Sequence, residues 1–108
     1  MTVERWCLQR EWVRAYEEDV DDVHVYRPSR YPLPPSRGRP RVTLRSGGEL
    51  VASDVGPTDG LVTYIGRWQL LEPDVLELDF DGGRIENLRV LSCDAAALKV
   101  RRLSTSVP

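Results

Sequence analysis

The stretch Tyr64-Ile65-Gly66-Arg67-Trp68-Gln69-Leu70, in the middle of the chain, has an apolar or glycine residue at every second position. In an extended strand alternate side chains lie on the same face, so Tyr64 and Trp68 are expected to share one apolar face. Gly66 lies between them on that face, where its missing side chain would let another backbone approach closely. The stretch therefore predicts a half-buried strand at the centre of an all-β fold.

The same alternation recurs along the chain at intervals of about ten residues, which is typical of short β-strands joined by turns. Glycine-rich turns such as Ser46-Gly47-Gly48 separate several of them, and a change of phase predicts a β-bulge near Asn87. A wall of about seven or eight such strands usually closes, because closure removes unpaired edges. We therefore predict an all-β fold, a small antiparallel up-and-down β-barrel. The predicted strands are 11–18, 24–27, 41–45, 49–55, 61–71, 75–81, 84–93 and 97–103.

Three segments fall outside these strands. Residues 1–10 are expected to form a short N-terminal arm or helix docked on the barrel, and residues 104–108 a frayed tail. Residues 28–40 contain five prolines. Because proline has no backbone donor, this segment is predicted to be a long loop without strand pairing. The 108 residues are expected to form one domain.

Charge and composition exclude several classes of partner. The net charge of −2 predicts neither a nucleic-acid partner nor an acidic membrane surface. The first residues do not resemble a secretory signal and no apolar run is long enough to cross a bilayer, so a cytoplasmic protein is expected. Cys7 and Cys93 are too few for a disulfide framework and are expected to be buried thiols. A Cys7–Cys93 bridge is the alternative, if the arm closes over the far end of the sheet.

Several short motifs occur together in this chain. They are the Gly66-x-Trp68 strand, Pro34-Pro35-Ser36-Arg37-Gly38-Arg39, Gly56-Pro57-Thr58-Asp59, Trp12 followed by Glu17-Glu18, and Tyr26-Arg27-Pro28. The combination resembles a group of small bacterial lipocalin-like proteins, largely uncharacterised, over residues 12–103. The resemblance implies a calycin-type barrel that binds a small apolar ligand or a partner, with no catalytic residues.

The chain departs from the lipocalin pattern on its first strand. Lipocalins have their Gly-x-Trp there, whereas this chain has Arg10 in the place of the glycine before Trp12. In lipocalins an arginine of the last strand packs over that tryptophan. By resemblance, Arg101 or Arg102 would take this place.

The interior of the predicted barrel is the first candidate site. Tyr16, Tyr64, Trp68 and Phe80 are the predicted lining residues for a small apolar or amphipathic ligand. Residues 28–40 would then act as a lid over the opening. Because the strands are short, the alternative is that inward side chains simply fill the interior.

Arg37-Gly38-Arg39 is the second candidate site. Two guanidinium groups around a glycine could clamp a carboxylate or phosphate, or contact a protein partner or a second copy of the chain. The alternative is that these arginines pair with Glu17 or Glu18 and hold the loop against the barrel.

No catalytic residue, metal site or cofactor is predicted. His24 is the only histidine, beside Asp21 and Asp22. A general base can be imagined there, but a single histidine in a loop is typical of a solvated residue. The sequence therefore favours a noncatalytic ligand-binding barrel. The alternative is an interaction module or homo-oligomer with a packed core. It would use the segment 28–40, called here the arginine-containing loop, for its contacts.

Overall fold

The computed structural model describes residues 3–35, 38–55, 60–71 and 73–106. Within these residues the chain forms one short helix, α1 (Arg5–Leu8), a single 3-10 turn (Tyr16–Glu18) and eight strands. The strands are β1 (Glu11–Arg14), β2 (Val23–Pro28), β3 (Arg41–Leu44), β4 (Glu49–Val55), β5 (Leu61–Leu71), β6 (Val75–Phe80), β7 (Ile85–Cys93) and β8 (Leu98–Ser106).

The strands pair antiparallel and close into a barrel, which confirms the predicted fold. Strands β3 to β8 follow one another around the wall, as in an up-and-down barrel. The remaining two strands are exchanged, since β1 pairs with β3 and β2 pairs with β8, so the predicted up-and-down order is wrong for these two strands. The described residues of the connection from β2 to β3 therefore lie against the outer face of β1, where Tyr31, Leu33 and Pro34 border the buried Val13.

The centre of the barrel agrees with the prediction from the sequence. Gly66 pairs with Phe80, and a Cβ atom at Gly66 would lie 2.8 Å from Phe80 Cα and overlap the carbonyl oxygen of Asp79. The expected close backbone approach is confirmed. The predicted bulge is confirmed too, by a register shift between Asn87 and Leu88.

Two predicted strand ends are wrong. Strand β1 ends at Arg14, because the chain turns at Ala15 and brings Asp19 back to accept a hydrogen bond from Val25 N at 3.0 Å. Residues 104–106 were expected to fray but belong to β8, where they pair with residues 85–87 of β7. The start of β7 offers backbone partners there, so the pairing needs no apolar side chains. The Gly56–Asp59 turn lies outside the described residues.

One end of the barrel, the closed end, is covered by the N-terminal arm. Val3 N donates to Pro73 O at 3.4 Å, and Arg5 Nη2 donates to Ser46 O at 3.3 Å, so the arm reaches two turns of this end. Beneath it Leu8 and Trp12 have no exposed surface. The predicted docked arm is confirmed. Cys7 and Cys93 also meet here, as free thiols.

No helix in the described ranges is long and apolar enough to span a membrane.

Candidate functional site

The opposite end of the barrel, the open end, contains a cavity of about 310 Å³. This end is formed where β1 finishes and β2 begins. The apolar part of the cavity lining is aliphatic and aromatic, and includes Leu44, Leu76, Leu78, Leu88, Leu98, Val100 and Phe80. The volume lies at the lower end of the range for small-molecule sites.

Polar side chains line the same cavity because the inward face of several strands changes character towards the open end. On β1, Arg14 follows Trp12, whose side chain points into the barrel, by two residues. On β8, Arg102 follows Val100, which also points inward, by two residues. His24 likewise precedes inward Tyr26 by two residues on β2. Strand alternation therefore aims charged groups into the mouth of the cavity.

Arg84 and Arg102 share one carboxylate at this mouth. Arg84 Nη2 lies 3.5 Å from Glu86 Oε2, and Arg102 Nη2 lies 3.3 Å from Glu86 Oε1. The Glu86 side chain is only 15% exposed. Two guanidinium charges thus face one carboxylate charge, which leaves a local positive excess.

The Arg84 guanidinium also lies against the aromatic wall. Its Cζ is 4.3 Å from the centre of the Phe80 ring and 5.5 Å from that of Tyr64, and these two rings meet edge to face at 6.5 Å. Its Nε is buried and has no hydrogen-bond partner among the residues that the structure describes. A buried donor without a partner is costly, so this atom is suited to an acceptor from outside the chain.

Arg14 and Tyr26 form another side of the mouth. Arg14 Nη1 donates to Asp19 Oδ1 at 2.6 Å, and its guanidinium lies 5.4 Å from the Tyr26 ring centre. Burial raises the pKa of Tyr26, so its phenol is neutral at pH 7. Asp19 pairs with Arg14 at the rim, whereas Arg84 and Arg102 share one carboxylate, that of Glu86.

The predicted interior residues divide between the two ends of the barrel. Tyr64 and Phe80 line the cavity. Trp68 does not, because four residues along a strand place it about 13 Å further down the barrel. Its indole Nε1 donates to Arg45 O at 2.8 Å, and Arg5 lies over its ring at 4.2 Å.

Tyr16 was also predicted to line the interior, and this is wrong. It follows the end of β1, lies in the 3-10 turn and is 49% exposed. Its ring lies 5.0 Å from the Arg39 guanidinium, outside the cavity. The strand alternation that placed it inside stops at Arg14.

The arginine-containing loop follows the alternative reading of the sequence. Arg39 Nη1 and Nη2 each lie 2.6 Å from a carboxylate oxygen of Glu17, and Nη2 also donates to Pro34 O at 2.8 Å. The Arg39 hydrogen bonds lower the pKa of Glu17 to about 2. Gly38 has a positive φ of 68°, and Arg37 lies outside the described residues.

The predicted lid is not positioned over the cavity. Of the loop residues that the structure describes between 29 and 40, only Pro40 lines it. Tyr31, Leu33 and Pro34 instead border a groove against Val13 on the outside of β1.

The arginine over the Trp12 ring is Arg10, at 5.3 Å, rather than Arg101 or Arg102. Arg101 pairs with Asp22 at 3.0 Å, while Arg102 belongs to the cavity mouth. The arm thus supplies the cation that the lipocalin resemblance assigned to the last strand.

Sequence reasoning missed most of the polar mouth. Arg14, His24, Glu86 and Arg102 all line the cavity, although the sequence reading treated His24 as a solvated loop residue. The available signal was phase, because Arg14 and Arg102 follow buried residues by two positions.

No group of three or more His, Cys, Asp or Glu side chains within the described part of the chain could hold a metal ion. No protein-family model matches the chain, and no curated protein matches it either.

Proposed function

We propose that this chain is a noncatalytic, lipocalin-like barrel that binds a small ligand in the cavity at its open end. The observation that supports the proposal is the cavity itself, about 310 Å³ in volume, with an apolar lining and a polar mouth. Sites for small molecules combine these same features. A cytoplasmic location remains a prediction from the sequence.

The way the barrel is filled gives a second line of support. Trp12 and Trp68 are buried outside the cavity lining, and Leu8 of the arm is buried at the same end of the barrel. Side chains in a small barrel usually fill the interior at close to crystal density. Space at the open end, next to a buried core at the closed end, is the arrangement expected of a binding site supported by a rigid base.

The alternative proposal, an interaction module built on the arginine-containing loop, has less support. Arg39 already pairs with Glu17 and Pro34 within the chain. The alternative also requires a filled interior, and the cavity argues against that.

The test is a thermal-shift screen with short fatty acids, aromatic acids and neutral aromatic compounds. A ligand at about a hundred times its Kd stabilises the fold by about 2.7 kcal/mol, which corresponds to a rise in Tm of roughly 10 °C for a domain of this size. Tryptophan fluorescence is a poorer readout, because Trp12 and Trp68 lie outside the cavity lining.

The matched control fills the cavity from its wall. Ala52 lines the cavity opposite Tyr64 in the β4–β5 pair. An Ala52→Phe variant that remains folded should lose the thermal shift. An unchanged Tm of the wild-type chain across the whole panel would contradict the proposal.

A further inference from the structure

We infer that the ligand is a monocarboxylate with a short apolar body, whose carboxylate is bound by Arg84 and Arg102 at the mouth of the cavity. This inference rests on the proposed function and adds the chemical class and orientation of the ligand. Three observations support it: the charge balance of the lining, the unpartnered donor of Arg84, and the volume of the cavity.

The cavity lining contains more positive than negative charge. Its charged residues are Arg14, Arg41, Arg84, Arg102, Asp54 and Glu86, which gives four guanidinium groups and two carboxylates. Acids outside the lining partly balance two of the arginines, since Asp19 pairs with Arg14 at 2.5 Å and Glu11 with Arg41 at 3.3 Å. Asp54 is the other acid of the lining, so the lining and its partners carry four positive and four negative charges in all. At the pair itself, Arg84 and Arg102 share the single carboxylate of Glu86, which makes an anion the complementary group at that point.

The geometry at Arg84 indicates where that anion would bind. Its guanidinium is held against the Phe80 ring at 4.3 Å, and its buried Nε has no hydrogen-bond partner in the described part of the chain. Glu86 is 3.5 Å from Arg84 Nη2 and 3.3 Å from Arg102 Nη2, which are longer than the 2.7–2.9 Å typical of strong charge-assisted bonds. Both arginines therefore retain capacity for a second carboxylate. An Arg fork fixed by stacking also loses little freedom when it binds one.

The volume limits the rest of the ligand. A cavity of about 310 Å³ lies at the lower end of the range for small-molecule sites, which favours a short apolar body such as the chain of octanoate over a long-chain fatty acid or a retinoid. With its carboxylate at the mouth, the tail would contact Leu76, Leu78 and Leu98.

The test compares three probes that share one tail: octanoate, 1-octanol and octylamine, each titrated calorimetrically into the full chain near neutral pH. Octanoate is expected to bind at least about tenfold more tightly than octanol, because a hydrogen bond to a charged group contributes about that factor in affinity. Octylamine should bind most weakly.

Variants of the mouth assign the preference to particular residues. Arg102→Gln removes an exposed charge without disturbing the core, and it should reduce the preference for octanoate about tenfold. Arg84→Gln should do the same. Glu86→Gln should instead increase octanoate affinity several-fold, because it removes the competing carboxylate; a merely structural role of Glu86 would not produce this gain.

Arg89→Gln is the matched control. Arg89 is an exposed arginine on β7, the strand of Glu86; it lies outside the cavity lining, and its Nε is 3.8 Å from Asp74 Oδ1. It should leave the three affinities unchanged. Equal binding of all three probes would overturn the carboxylate inference but not the proposed function. Tightest binding of octylamine would do the same. If none of the probes binds, the inference fails, and the wider thermal-shift screen decides the proposed function separately.

Discussion

The two ends of the barrel are built from the same strands but differ in the side chains that point into the interior. At the closed end Trp12 and Trp68 are buried, and each indole N–H donates to a backbone carbonyl, of Leu8 and of Arg45. At the open end the strands carry arginines, Glu86 and empty space. The comparison indicates that burial at the closed end provides most of the folding stability, which allows the open end to be charged and unfilled.

Substitutions in the two ends should therefore differ most in their effect on stability. Trp12→Ala removes a fully buried indole and should lower the free energy of unfolding by about 3–5 kcal/mol. Tyr64→Ala, at a residue 41% exposed beside the cavity, should cost about 1 kcal/mol. Urea denaturation measures both. Equal losses would contradict this difference between the two ends.

The next test concerns the middle of the barrel, where β5 and β6 approach most closely. Gly66→Ala would force a methyl group into the β6 backbone at Phe80 and should cost about 1–3 kcal/mol. Gly60→Ala is the control, because nothing lies within 4 Å of a Cβ there. A change of less than about 0.5 kcal/mol is expected for it. A stable Gly66→Ala variant would show that the strands can separate at this point.

This contrast also explains how much of the molecule the sequence could predict. Apolar alternation placed β5 and Gly66 correctly, because burial and strand period act on the same residues. The open end was harder, since Arg84 and Glu86 fell within the predicted strand 84–93 but were not assigned to the interior. Tyr16 shows the remaining limit: hydrogen bonds from Arg14 and Val25 to Asp19, five and six residues away, end β1, and strand alternation does not encode them.

The rim of the open end, where β1 ends and β2 begins, is held together in part by the carboxylate of Asp19. It accepts hydrogen bonds from Arg14 and from Val25 N, and these bonds lower its pKa, with Arg14 the larger cause. Asp19→Asn should lower the free energy of unfolding by about 1–2 kcal/mol. Asp21→Asn makes the same chemical change at an exposed residue two positions away and should cost under about 0.5 kcal/mol. Similar losses would show that the rim does not depend on this carboxylate.

Acid should weaken the same rim. The pKa values of Glu17, Glu18 and Asp19 are all lowered, chiefly by hydrogen bonds from Arg39, Arg27 and Arg14. Their contribution is therefore present above the unfolded pKa, about 4, and is lost as pH falls through the folded values, about 2 for Glu17. Stability measured from about pH 5 to about pH 2 should fall, and less steeply in Asp19→Asn. Identical slopes would contradict this assignment.

The last prediction concerns the reactivity of the Cys93 thiol at the closed end. Burial, and then contact with Cys7, raises the pKa of the Cys93 thiol. Little thiolate forms at about pH 8, so iodoacetamide should modify Cys93 at least about tenfold more slowly in the folded chain than in urea. Mass spectrometry of timed samples measures this. Trp12→Ala should accelerate the reaction by loosening the arm, whereas Arg102→Gln, at the other end, should not. If Cys93 of the folded wild type reacted as fast as in urea, the closed end would be open to solvent, and the contrast between the two ends would fail.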